Sequence, residues 1–161
     1  MVVLEPDKLD PEIKWRTMVG FFLNYVTAMY STIKEKFSEE MAKELQEVAL
    51  KSFGEDQGDA IAQIFGLSPD SAKDVSLLKR VMATVFDIKY KCIKSTDHEV
   101  IDEMEYLHCP IRRACQPVWK NICEYCEFLG QTFLQQINPD FNHKIEIDEP
   151  VCRHFTQRKA E

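Results

Sequence analysis

Between His108 and Cys126 the chain reads HCPIRRACQPVWKNICEYC, and four of its six cysteines, Cys109, Cys115, Cys123 and Cys126, fall there with the spacing C-x5-C-x7-C-x2-C. Cys152 follows near the end, with His154 two residues on. Thiols and imidazoles bind soft metals, and a thiol in its thiolate form attacks electrophilic carbon. On a helical wheel of about 100° per residue, Cys115, Trp119, Ile122, Cys126, Leu129 and Phe133 form one narrow stripe, with Cys123 at its edge. Cys123 and Cys126 then sit on adjacent turns, close enough for both sulfurs to approach one ion or one substrate. Cys109 precedes Pro110 at the entry to this helical region, where unpaired N–H groups and the helix dipole favour a thiolate.

The clustering singles out Cys109, Cys123, Cys126 and Cys152 as ligands or nucleophiles, and leaves Cys92 and Cys115 as small core residues. The spacing lacks the two close pairs of a zinc finger and the tight run of a bacterial ferredoxin. His108 and His154, each beside a cysteine, are possible ligands, whereas His98 and His143 read as turn and surface residues. The chain has no G-x-S-x-G, no H-E-x-x-H and no phosphate-cradling loop, and its five glycines argue against a nucleotide-loop enzyme.

These residues need elements to position them. A first helix starts at Pro11 behind an Asp10 cap, with Trp15, Met18, Phe22, Tyr25, Val26, Met29, Tyr30 and Ile33 at the spacing of one half-buried face. A second opens at Ser38-Glu39-Glu40 and ends or breaks at Gly54, and a short third covers Ala60 to Phe65 before Gly66. A fourth, capped by Asp70 or Ser71, carries Val75, Leu78, Val81, Met82 and Val85. From Phe86 the period becomes two: Phe86, Ile88, Tyr90 and Cys92 face inward, the turn STDHE follows, and an acidic arm over 99–108 closes a hairpin, with helix as the competitor for that arm. Pro110 begins a short helical turn, Pro117 a long helix to Ile137, and Asn138-Pro139 stops it. Phe141, His143, Ile145 and Ile147 start a second hairpin that returns through Val151, Arg153 and Phe155.

The expectation is therefore α+β: a helix-rich N-terminal half packed on an antiparallel sheet made of two hairpins around a long cysteine-bearing helix, in one domain over 1–161. Residues 1–10 form an extended leader, 11–85 are mainly helical, and 86–157 run hairpin, helix, hairpin. Twenty basic against twenty-seven acidic residues, a net charge of −7, disfavour nucleic acid and anionic membrane as partners. No signal peptide or span of about 20 apolar residues is evident. These features predict a cytoplasmic protein with reduced cysteines. The surplus apolar surface from Met18 to Tyr30 suits a homodimer.

The order of a helix-rich half, Cys109-Pro110, Cys123 and Cys126 on a helix, Asn138-Pro139, and a closing hairpin with Cys152-x-x-Phe155 resembles the L-2-amino-thiazoline-4-carboxylic acid hydrolase-like family. That family has a Cys-Pro at the helix entry, an Asn-Pro after the helix and a terminal Gly-Asp-x-x-Cys-x-Phe. Here Asp148-Glu149 stands in place of Gly-Asp, and two residues rather than one separate Cys152 from Phe155. A more distant likeness is to 4-vinyl reductase-type small-ligand domains, whose zinc is held by a Cys, a Glu-x2-Cys and another Cys. Cys126, Glu149 and Cys152 keep that order, no cysteine follows Cys152, and a fourth ligand falls to Cys123 or His154.

The resemblance implies a small-ligand or metal-binding domain in which Cys123, Cys126, Cys152 and His154 hold zinc or iron. Its alternative is a hydrolase opening a small cyclic C–N or C–S substrate by metal-activated water or a Cys109 thiolate, with Glu149, Asp148 or His154 as base. A non-catalytic interaction module with a cysteine-rich core is the third expectation.

Overall fold

The computed structural model describes residues 10–159, so the expected leader lies, but for Asp10, outside the described residues. The chain is α+β, with helices against a four-stranded antiparallel sheet. Helix α1, Pro11–Lys36, starts as its sequence dictates: Pro11 sets the first turn and the Asp10 carboxylate accepts the Glu12 N–H at 2.7 Å. Its expected single inward stripe divides. Val19, Leu23, Val26, Tyr30 and Ile33 face the core, whereas Trp15, Met18, Phe22, Tyr25 and Met29 are exposed.

Helix α2, Glu39–Phe65, is capped by the Ser38 hydroxyl and closed by Gly66 at φ +59. It runs unbroken where two helices and a stop at Gly54 were expected. Gly54 and Gly58 are there for close approach: a Cβ at Gly54 would stand 2.7 Å from Thr132 Cγ2, and one at Gly58 would stand 3.2 Å from Gln136 Cβ. The helix-weakening cost of each glycine, about 1 kcal/mol, is offset by tight packing on a later helix. Helix α3, Ala72–Val85, takes Ser71 as cap.

Strand β1, Tyr90–Ser95, begins later than its alternation suggested, because α3 continues to Val85 and Asp87 turns the chain at φ 55. Cys92, expected inside, is exposed on this edge strand. Strand β2, Glu99–Glu105, is the acidic arm, and its alternate residues Val100, Asp102 and Met104 are buried. Helix α4, Pro110–Cys115, is short, and α5, Ile122–Ile137, starts five residues beyond Pro117. Strands β3, Phe141–Asp148, and β4, Val151–Arg158, form the second hairpin.

The sheet order is β1-β2-β4-β3. Register sets Asp102 beside His154, Met104 beside Cys152, and Val100 and His143 on either side of Thr156. An apolar cluster of Leu23, Tyr30, Cys115, Trp119, Ile122 and Tyr125 joins α1, α4 and α5, with Tyr30 stacked on Trp119 at 4.7 Å. A second, of Val75, Val100, Leu134 and Phe141, seals α3 and α5 on the sheet. Among the described residues no helix is long and apolar enough to cross a membrane.

Candidate ligand cavity and buried charge cluster

The helices do not close fully on the sheet. A cavity of about 250 Å³ opens between α1, α2, α4 and α5, walled by Leu23, Val26, Leu50, Phe53 and Leu129. A smaller chamber of about 100 Å³ lies toward the sheet and shares Met82, Phe86, Ile111, Cys126 and Leu129 with it. A third void of about 50 Å³ is bordered by Cys109, Cys123, Cys126, Cys152 and His154. Cys126 borders all three.

The fold thus brings together five of the residues singled out by sequence: Cys109, Cys123, Cys126, Cys152 and His154. Their chemistry differs from expectation. Cys109 caps α4, and the N–H groups of Ile111 and Arg112 favour its thiolate, but burial outweighs them and raises the thiol. Burial pushes Cys123 up, Cys126 well up, and Cys152 to about 12; neighbouring thiols reinforce the effect. Cys152 Sγ lies 3.4 Å from His154 Nε2, and burial, then Lys79, bring that imidazole down to about 3. At neutral pH the cluster is a set of neutral thiols beside a neutral imidazole.

The expected zinc or iron centre at Cys123, Cys126, Cys152 and His154 is corrected. Among the described residues no group of three or more His, Cys, Asp or Glu side chains is disposed to hold a metal ion. Four of the thiols border one void without forming such a group. Glu149, expected as a base, is exposed in the β3–β4 turn, and its neighbour Asp148 pairs with Arg153 at 2.8 Å. His108 is exposed and bonded to Glu105 at 2.7 Å.

The charged groups of the site were not anticipated. Lys79 on α3 and His143 on β3 both border the 100 Å³ chamber. Asp102 on β2 is fully buried, and its Oδ1 accepts from Arg80 Nε at 3.0 Å and Nη2 at 2.8 Å. Lys79 Nζ stands 4.0 Å from Asp102 Oδ2, and neither atom makes a hydrogen bond. Burial, opposed by Asp102 and aided by Arg80, lowers Lys79 to about 7. His143, expected at the surface, is buried: Nδ1 lies 3.1 Å from the Phe155 carbonyl and its backbone N–H donates to Gln131 Oε1. The ring fits because α5 has Gly130 there, where a Cβ would collide with His143 Cδ2.

Signals for these residues existed. Lys79 interrupts the apolar face of α3 four residues after Val75 and three before Met82. Asp102 takes an inward place between Val100 and Met104, which demands a buried cationic partner.

The arrangement is a two-layer α+β domain enclosing an apolar cavity with a charged inner end. No family model and no curated protein sequence matches the chain. Among solved structures, the fold is similar to a trafficking protein particle complex subunit 3 from Naegleria fowleri, whose crystal structure is covalently bound to palmitic acid. The match has 10% identity and a TM-score of 0.59, over 89% of this chain and 96% of that one. The Fe(II) unliganded H-NOX protein from K. algicida aligns over 89% of this chain and 96% of its own at 8% identity, with a TM-score of 0.41 that carries no argument. The hydrolase-like character expected from the sequence is corrected with the metal centre, the fold match being to a trafficking protein.

Proposed function

We propose that this chain is a small-ligand-binding domain whose ligand is largely apolar and lodges in the cavity between α1, α2, α4 and α5. The observation that carries this reading is the cavity of about 250 Å³ that shares a wall with the inner chamber of about 100 Å³. Ligand sites are concave and mostly apolar, with few polar groups for orientation, and this one fits that description. Each methylene moved from water into the cavity contributes about 0.8 kcal/mol. The Naegleria fowleri protein of similar fold is covalently bound to palmitic acid, which supports an acyl-like occupant here. Because burial keeps the thiols protonated, we read the binding as non-covalent. Six free cysteines fit a reducing cytoplasmic setting.

The test is organic extraction and mass spectrometry of the purified protein, followed by thermal unfolding with added straight-chain acids and alcohols. Wild type is expected to bind and to rise in melting temperature. Leu129→Trp, which fills the wall shared by both chambers, is expected to lose that rise while circular dichroism shows it folded. A folded Leu129→Trp that binds as wild type does would exclude the cavity as the site.

A second, compatible reading concerns partners. Trp15, Met18, Phe22, Tyr25 and Met29 are exposed and alternate in steps of three and four, the spacing of a two-helix seam. We read this face as a contact between two copies of the chain. Light scattering is expected to give a dimer that Met18→Glu with Tyr25→Glu converts to monomer; a wild-type monomer at high concentration removes this reading.

A further inference from the structure

The inner chamber poses an electrostatic problem that the protein's own residues leave unsolved. Two cations, Lys79 and Arg80, face one carboxylate, Asp102. Arg80 takes Asp102 Oδ1 through two nitrogens, and Lys79 Nζ, 4.0 Å from Oδ2, is beyond hydrogen-bond reach. The other groups facing this corner are Cys92 on β1, His143 on β3, Cys152 and His154 on β4, and Cys126 on α5. They are thiols and imidazoles, so none is a carboxylate that could balance the second cation. A lysine 6% exposed, with three donors and no acceptor bonded to it, is a costly element of a packed interior. It borders the chamber that shares the Cys126 and Leu129 side chains with the larger cavity.

We infer that Lys79 receives the anionic end of the ligand. The ligand is an amphipathic monocarboxylate, its carboxylate seated at Lys79 beside His143 and His154 and its apolar body lying along Leu129 in the larger cavity. This inference rests on the ligand-cavity reading above and adds the chemistry of the ligand's head. One surplus positive charge matches one carboxylate, and a chamber of about 100 Å³ suits a compact head better than a larger, more highly charged one. The long lysine stem has the rotational freedom to meet it. Burial, which Asp102 at 4.0 Å only partly opposes, already brings the amine to about 7, and a bound carboxylate in direct contact would hold it charged.

The experiment is titration calorimetry at neutral pH with decanoic acid, palmitic acid and the matching alcohols, on wild type and on Lys79→Met. The methionine keeps the stem's bulk and leaves Asp102 paired with Arg80. Wild type is expected to bind the acids about tenfold or more tightly than the alcohols, the scale of a charge-assisted hydrogen bond. Lys79→Met is expected to abolish that preference by weakening the acids toward the affinity of the alcohols. Wild type that binds acid and alcohol equally overturns the head-group assignment while leaving the cavity reading intact, and so does a folded Lys79→Met that keeps the preference. If no acid or alcohol binds wild type, the cavity reading itself fails and takes this inference with it. The wild-type comparison decides the matter even if the variant does not fold.

Discussion

Two groups of reactive side chains meet at the inner face of the sheet, and they behave oppositely. Cys109, Cys123, Cys126 and Cys152 come mainly from one sequence stretch and advertise chemistry, yet burial leaves them protonated. Lys79, Arg80, Asp102 and His143 come from three separate elements, α3, β2 and β3, and hold a buried charge imbalance that invites a ligand. The lesson is one of solvation. A thiol resolves its burial by keeping a proton, at little cost, whereas a guanidinium cannot shed its charge and must be answered by a partner.

The sharpest way to break this contrast is Asp102→Asn. Removing the carboxylate leaves the buried Lys79 and the half-buried Arg80 without their counter-charge, and breaking a buried ion pair costs about 3–5 kcal/mol. Urea unfolding is expected to show a loss of that order; a loss below about 1 kcal/mol would mean the charge cluster is solvated after all and no different from the thiols.

Next comes Gly130→Ala, which drives a methyl into His143. Overpacking of this kind costs about 1–3 kcal/mol. Adding His143→Ala is expected to recover part of the loss, and strictly additive losses in the double variant would show that the two residues do not press on each other.

The histidines sharpen the comparison through pH. In the unfolded chain an imidazole titrates near 6.5, whereas in the fold His154 lies near 3 and His143 well below its usual value. Between about pH 6.5 and 3 the unfolded chain binds more protons, so stability falls as pH is lowered through that window. His154→Gln is expected to flatten part of this fall in denaturant titrations at stepped pH. An unchanged slope would place the loss elsewhere.

The smallest effects belong to the cysteines. Cys92 is the exposed one among the six, so iodoacetamide is expected to label it first, with Cys126 and Cys152 modified slowly or only on unfolding. Cys92→Ser is expected to shift stability by no more than about 0.5 kcal/mol. Rapid labelling of native Cys126 would erase the distinction between the two groups.

Much of the architecture was legible because it is local. Asp10-Pro11, Ser38 and Ser71 cap their helices as their types dictate, and the alternation over Phe141 to Ile147 yields a strand whose first and third residues are buried. Local rules failed where a neighbour distant in sequence decided the outcome. Gly54 reads as a helix end until Thr132 is known to press against it. His143 reads as surface until Gly130 is seen to leave room for its ring. Of the candidate site, the approach of Cys123 to Cys126 follows from helical spacing, whereas the arrival of Cys152 and His154 beside them depends on the closing hairpin, and the protonation of the thiols on burial in the packed state.

Residue type, periodicity and capping alone thus specify helices, two hairpins and an inward-facing row of cysteines, since each follows from interactions over a few residues. Which side of α1 is covered, which void stays open, and which charge goes unanswered are settled only by packing. Lys79 and Asp102 lie far apart along the chain, and nothing but the docking of α3 on the sheet brings a buried amine to 4.0 Å from a carboxylate that another side chain already holds.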